Sequence, residues 1–330
     1  MDEERRGVPR AGRYRADAWR AIARGIGVGF GAALVAAFLF SAARDGSARE
    51  PGEAQGSPIA GHRDEPPSLR DAGVPQLALA NLQLPSIEAV LPAWRRHASI
   101  ARVRVGQPAV AIVIDDLGAS ARQVERVIAL DPALTLSFLP DGESAPLLAA
   151  RARREGREVL VHVPMEPNNP RMNPGKGALF VDGGAAELRR VLAGHLDRFG
   201  GYVGVNNHMG SRFTRDREAM RTVLGELKTR GLMFLDSKTT LGSQAPGLAE
   251  GLRLPLAERD VFIDAERAPG AIAFQLARLE RLARERGIAV AIGHPHDMTL
   301  DALRAWLPAA RARGVAVVPI SHAAALRCGC

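Results

Sequence analysis

A barrel of parallel βα units is the fold that residues 105–330 predict, on three observations. Apolar runs of strand length alternate with arginine-rich stretches of helical period. Several helical stretches stop at a glycine just before the next apolar run, as in EGREVLV, RGLMFLD and RGIAVAI, the stop signal of a tight helix-to-strand turn. No glycine-rich dinucleotide fingerprint follows the first strand, so closure into a distorted α/β barrel of about seven βα units is favoured over an open doubly wound sheet.

Four segments precede that domain. Residues 1–24 carry Arg5, Arg6, Arg10, Arg13, Arg15, Arg20 and Arg24 and read as a cytoplasmic basic leader. Residues 25–43, GIGVGFGAALVAAFLFSAA, are nineteen residues without a charge, just enough helix to cross the hydrocarbon core, and the arginines before them stay inside. This reads as an uncleaved single-pass anchor in a bacterial inner membrane, placing the rest of the chain in the periplasm. A cleaved signal peptide, with Ser41 and Ala43 at the cleavage site, and a buried glycine-rich helix compete with it; the long charged leader favours the anchor. Residues 44–75 are rich in Gly, Pro, Ser and charge without an apolar period and read as a flexible linker. Apolar residues return over 76–104, ending in LPAWRRHASI, and read as an arm packed on the barrel.

Within the barrel region the strands are AVAIVI (109–114), LTLSFL (134–139), VLVHV (159–163), YVGV (202–205), LMFLD (232–236), VFID (261–264), IAVAIG (288–293) and VAVVPI (315–320). Helices such as ASARQVERVIAL, AELRRVLAGHLDRF and AFQLARLERLARERG lie between them. At 330 residues and 46% hydrophobic, the chain can bury a sizeable core. Its formal charge of +8 comes from arginines scattered among acids on helical stretches; no basic run interleaved with aromatics supports a nucleic-acid groove. The two cysteines, Cys328 and Cys330, would form a strained disulfide across one residue and are too few for an all-sulfur zinc site, so they read as a peripheral tail.

Parallel sheets bind ligands at the carboxyl ends of their strands. Polar residues collect there: Asp115 and Asp116 after strand one, His162 in strand three with Glu166 four residues on, and Asn206, Asn207, His208, Ser211 and Arg212 after strand four. Asp236, Ser237 and Lys238 follow strand five, strand six ends near Asp264, and His294, His296 and Asp297 follow strand seven. With His322 in PISH, five of the eight histidines fall in such positions. Asp116 alone could cap a helix and His162 alone could be a core residue, but adjacent carboxylates repel unless a cation or donor offsets them. Two carboxylates with histidines from distant segments suit a catalytic cation, one acid binding the metal and the other moving a proton. Zinc suits the mixed donors; manganese, cobalt and nickel stay open. The HExxH, G-x-S-x-G and P-loop signatures are absent from the sequence.

AIVIDDLG, LVHVPMEP, GVNNHMGSRFT, FLDSKTT and AIGHPHDMTL, in that order, resemble the divergent polysaccharide deacetylase family, over residues 109–321. The resemblance implies a distorted barrel and a metal-dependent hydrolase of acetyl groups on a polysaccharide or peptidoglycan-type glycan of the cell envelope. It places the catalytic base on Asp115, a metal ligand on Asp116 and the general acid on His294. Two departures mark this chain. The two metal histidines of typical members become His162 and Glu166, and an Arg-Pro-Pro-Tyr type motif becomes NNHMGSRF, which offers His208 as a further ligand. The expected metal set is therefore Asp116, His162 and His208, with Glu166 and His296 in reserve. Asn207, Arg212, Asp236 and Lys238 are expected to hold substrate or to orient the acid and base. The altered middle motif keeps a second class of function open, a catalytically degenerate glycan-binding or envelope-assembly protein using the same cleft.

Overall fold

Successive side chains of β1 (Ala109–Leu117) divide between two cores. Val110, Ile112 and Ile114 face the helices, whereas Ala109, Ala111 and Val113 join Leu160, Met233, Leu235, Val290 and Ile292 in the lumen. Side chains alternate across a pleat, so a strand covered on both faces needs an unbroken apolar run, which β1 has up to Ile114.

The structure, a computed structural model, describes residues 91–328. The expected leader, membrane span and linker, the first part of the arm and Cys330 lie outside the described residues. Among those described, no helix is long and apolar enough to cross a membrane.

After α1 (Ala93–Arg96) and β1 come α2 (Ala121–Ile128), β2 (Thr135–Phe138), α3 (Ala145–Arg154), β3 (Glu158–Met165), α4 (Gly184–Leu196), β4 (Gly204–Met209), α5 (Arg217–Thr229) and β5 (Met233–Asp236). The chain continues through α6 (Ala245–Leu252), β6 (Leu256–Glu258), β7 (Val261–Phe262), α7 (Pro269–Arg286), β8 (Ile288–Gly293), α8 (Asp297–Ala312), β9 (Ala316–Val318) and α9 (Ile320–Cys328). All described strand pairs are parallel, in the order β6-β5-β4-β3-β2-β1-β8-β7, and β9 pairs with the start of β1. The sheet therefore curls as a (β/α) half-barrel, and its two edge strands, β6 and β7, follow each other in the chain without a ladder between them. Arg259 latches that seam: its Nε donates to Ser237 O (2.7 Å), its Nη2 to Lys238 O (2.7 Å), and its guanidinium lies over the Phe262 ring.

The amino-terminal ends of the strands are plugged. Trp94 of α1 is buried in the lumen core with Ala323 and Ala324 of α9, and its backbone N–H donates to Gly231 O. Beside it the buried Glu158 accepts from Ser321 N, Ser321 Oγ, Ser99 N and Thr135 Oγ1, tying the arm, β2, β3 and α9 together. Burial pushes this carboxyl up, and the four donors oppose the shift.

Four local expectations change. The sequence reading stops strand four at Val205, where apolarity ends, but β4 runs to Met209 because its backbone stays in register with β3 through Pro164↔His208 and Met165↔Met209. β6, with the sequence LAE, is too short and too poor in β-branched residues to announce itself. Strand eight is trimmed to Ala316–Val318, since Ile320 already opens α9. Cys328 is disulfide-bonded and so is not a free tail thiol, contrary to the strain argument.

Filling the lumen with one indole predicts that Trp94→Ala destabilises the fold by about 3 kcal/mol or more, the usual cost of an unfilled aromatic site. Urea denaturation checks it, and a loss below about 1 kcal/mol would show that the arm is dispensable.

Candidate metal centre

The order of residues at the carboxyl end of β1 decides what the site can be. In a regular strand Asp115 and Asp116 would point to opposite faces. Here Asp116 has φ 57°, in the left-handed region, and the β1–β2 register breaks between Ile114 and Leu117. Asp is among the few residues that tolerate this conformation, and a bulge of this kind re-aims side chains. Both carboxylates consequently reach one imidazole: His162 Nε2 lies 3.6 Å from Asp115 Oδ2 and 3.2 Å from Asp116 Oδ1. Met209 at the end of β4 (φ 52°) and Lys238 just past β5 (φ 48°) are also left-handed, so backbone strain on the order of 1 kcal/mol each gathers at this end.

Parallel pairing brings the ligands together. His162 on β3 sits beside β4, whose extension past Val205 carries His208 inward. His208 Nδ1 lies 2.9 Å from Asp116 Oδ1 and 3.3 Å from His162 Nε2. The three candidate ligand atoms lie within 4.8 Å of one another. Tetrahedral bonds of about 2.1 Å put ligand atoms roughly 3.4 Å apart, so the observed spacing is that of a coordination sphere. One further fact fits a cation: Asp116 Oδ1 is buried between two imidazole nitrogens without a hydrogen bond of good geometry to either. Burial pushes the Asp116 carboxyl up, but the adjacent His162 and His208 imidazoles more than reverse this and hold it far below the carboxylate range.

Asp115 is buried and takes no part in that triangle. Both its oxygens accept from Asn206 Nδ2 (2.9 and 3.0 Å). On the other side, His294 Nε2 lies 3.7 Å from Asp116 Oδ2, while its Nδ1 donates to Asp264 Oδ1 (2.9 Å). Burial pushes the His294 imidazole down, but the bond to Asp264 and the charges of Asp115, Asp264 and Asp116 carry it above its ordinary value. Asp264 is correspondingly lowered: burial raises it, and His294 and Thr299 overcome that. Asp264, His294 and His296 also offer three atoms within 4.8 Å, yet Asp264 already accepts from His294 Nδ1, His294 N (2.7 Å) and Thr299 Oγ1 (2.8 Å), so its task is to orient His294.

The remaining expected residues take other places. Glu166 is held by Arg212 and by Val181 N (3.0 Å), so it ties the β3 loop to the β4 loop and stands outside the triangle. Asn207 bridges Met209 O and Ser237 N, bracing two strand ends. Asp236 is fully buried, accepts from Lys238 N (2.8 Å) and is pushed up by burial. Lys238 Nζ pairs with Glu258 (3.0 Å) at the seam. His296 precedes α8, its ring 5.9 Å from that of His294. His322 sits at the opposite end, next to the Ser321 that holds Glu158. Sequence reasoning misses the roles of Asn206, Ser137 and Asp264. The signal for Asp264 was present, an apolar run ending in Asp as in strands one and five, and Ser137 is the one hydroxyl inside the run LSFL.

A profile of the divergent polysaccharide deacetylase family matches residues 112–324, and the chain belongs to that family. It is 35% identical over 195 residues to the uncharacterized protein YibQ of Escherichia coli (strain K12), covering 59% of this chain and 61% of that one. It is 30% identical over 201 residues to an uncharacterized protein of Haemophilus influenzae, covering 61% and 71%. The chain thus spans under two thirds of the E. coli relative's length. Among solved structures, the uncharacterized protein ATU2773 from Agrobacterium tumefaciens C58 is similar at TM-score 0.68 and 32% identity, over 70% of this chain and 95% of that one.

If the triangle is the ligand set, Asp116→Asn, His162→Ala and His208→Ala each weaken zinc binding by more than about 100-fold, beyond the loss typical of an outer partner. Glu166→Gln leaves it unchanged. Equilibrium dialysis with metal analysis checks this; zinc retained by all three ligand variants would place the ion elsewhere.

Proposed function

Since the chain is a divergent polysaccharide deacetylase by family, we propose that it is a metal-dependent hydrolase that removes acetyl groups from a polysaccharide or peptidoglycan-type glycan of the cell envelope. The observation that carries the reading is the triangle of Asp116, His162 and His208, flanked by an acid–base pair, Asp115 on one side and His294 with Asp264 on the other. The charge-free residues 25–43 support an inner-membrane anchor with the barrel in the periplasm. The mixed nitrogen and oxygen donors favour zinc.

A bound divalent ion supplies Lewis acidity, lowering the pKa of water and polarising the acetyl carbonyl. Asp115 accepts the proton of the attacking water, since it stands beside the ligand triangle without belonging to it. His294 donates its Nε2 proton to the departing amine or alkoxide. Asp264 fixes the ring by holding Nδ1–H, and its carboxylate favours the protonated imidazole. Base and acid are therefore distinct groups held by distinct partners, Asp115 by Asn206 and His294 by Asp264.

The degenerate-binder alternative draws on the loss of the second histidine of the middle motif. Against it, His208 supplies an imidazole from β4 while Glu166, at the altered position, is engaged by Arg212.

Acetate release from N-acetylated and O-acetylated oligosaccharides tests the reading. Asp115→Asn should abolish turnover, by about 1000-fold or more, with zinc still bound. Stoichiometric zinc with no turnover on any acetylated glycan would support the binder instead. Asp264→Asn should lower the pKa of His294. The acid form is needed, so the alkaline limb of the pH–rate profile should move to lower pH; an unmoved limb would remove His294 from the acid role.

A further inference from the structure

Two adjacent carboxylates of like reach face one candidate cation site, and chemistry alone does not say which should ligate. Asp115 Oδ2 is only 3.6 Å from the same His162 nitrogen that Asp116 Oδ1 approaches to 3.2 Å. What separates them is a buried amide. Asn206 on β4, register partner of His162 on β3, reaches across the lumen to β1 and donates through Nδ2 to both Asp115 oxygens. The amide cannot be turned over: its oxygen would then face a carboxylate, acceptor against acceptor. Its Oδ1 is instead held by Ser137 Oγ of β2 at 2.6 Å, with Ser137 donating, and Nδ2 has a further contact to Ser237 Oγ at 3.3 Å. Ser137 and Asn206 are both wholly buried, so no water competes for these bonds. Asp116, by contrast, has no amide donor, and its Oδ1 faces only the His162 and His208 imidazoles.

We propose that Asn206, oriented by Ser137, is the positioning residue that keeps Asp115 out of the metal sphere and so assigns base and ligand roles to two neighbouring aspartates. A neutral amide suits this task. It satisfies the carboxylate without a counter-charge that would neutralise it as a base. The inference rests on the deacetylase reading for its kinetic part and on the metal site alone for its spectroscopic part.

The test uses the purified full-length chain loaded with Co²⁺ as a visible reporter and, separately, with zinc for acetate release. In Asn206→Ala, Asp115 is released to coordinate, so the Co²⁺ absorption should weaken and shift as coordination rises above four; adding Asp115→Asn should restore the parent spectrum. With zinc, Asn206→Ala should lower kcat about 10- to 100-fold, the weight of a hydrogen bond to a charged group, with KM and zinc stoichiometry unchanged. Ser137→Ala should move both readouts in the same direction by less, and serves if Asn206→Ala does not fold. Val205→Ala, on the same strand but in the helix-side core, lowers stability and should move neither. An unchanged Co²⁺ spectrum in both the Asn206 and Ser137 variants overturns the inference while leaving the deacetylase reading intact. A changed spectrum in a chain whose parent form shows no turnover supports the positioning role and removes the deacetylase reading.

Discussion

Two carboxylates on consecutive residues, both turned toward one imidazole, are the constraint around which this molecule is arranged. Like charges this close are costly in a low dielectric unless something opposes each of them. The left-handed backbone at Asp116 creates the problem by bringing its side chain to the same side as that of Asp115. Distant strands solve it: β4 sends Asn206 to Asp115, while β3 and β4 send His162 and His208 to Asp116. None of these partners is near in sequence, so the pocket exists only when the parallel sheet has formed.

The two ends of the barrel divide strain from stability. At the amino-terminal end, Trp94, α9 and the four donors around Glu158 fill and tie the lumen. At the carboxyl end, Asp116, Met209 and Lys238 hold conformations that only a rigid frame sustains. The seam between β6 and β7 belongs to this division as well. A ladder is missing there, and Arg259 spans the gap with two carbonyl bonds beside the ring that packs on His294. The latch of the fold therefore also borders the candidate acid.

Much of this was legible in the sequence, for a definite reason. Strands buried on both faces must be apolar without interruption, so β1, β3 and β8 and the acids that end β1 and β5 stand out. That Asp116, His162 and His208 would meet was readable because side chains ending the apolar runs of a parallel sheet share its carboxyl end. Backbone pairing was not readable. The polar residues Asn206 to His208 looked like a loop, yet ladder bonds to β3 keep them in the strand and aim them inward. The Glu166–Arg212 pair was likewise hidden, because spacing within one motif cannot reveal a partner brought in by another strand.

On the proposed function, the triangle and not the neighbouring Asp264–His294–His296 group holds the divalent ion. Anomalous diffraction at the zinc edge from crystals grown with zinc tests it most directly. One strong peak is expected about 2.1 Å from Asp116 Oδ1, His162 Nε2 and His208 Nδ1, with Asp115 outside bonding distance. A peak on His294 and His296, or no peak at the triangle at saturating zinc, would contradict it.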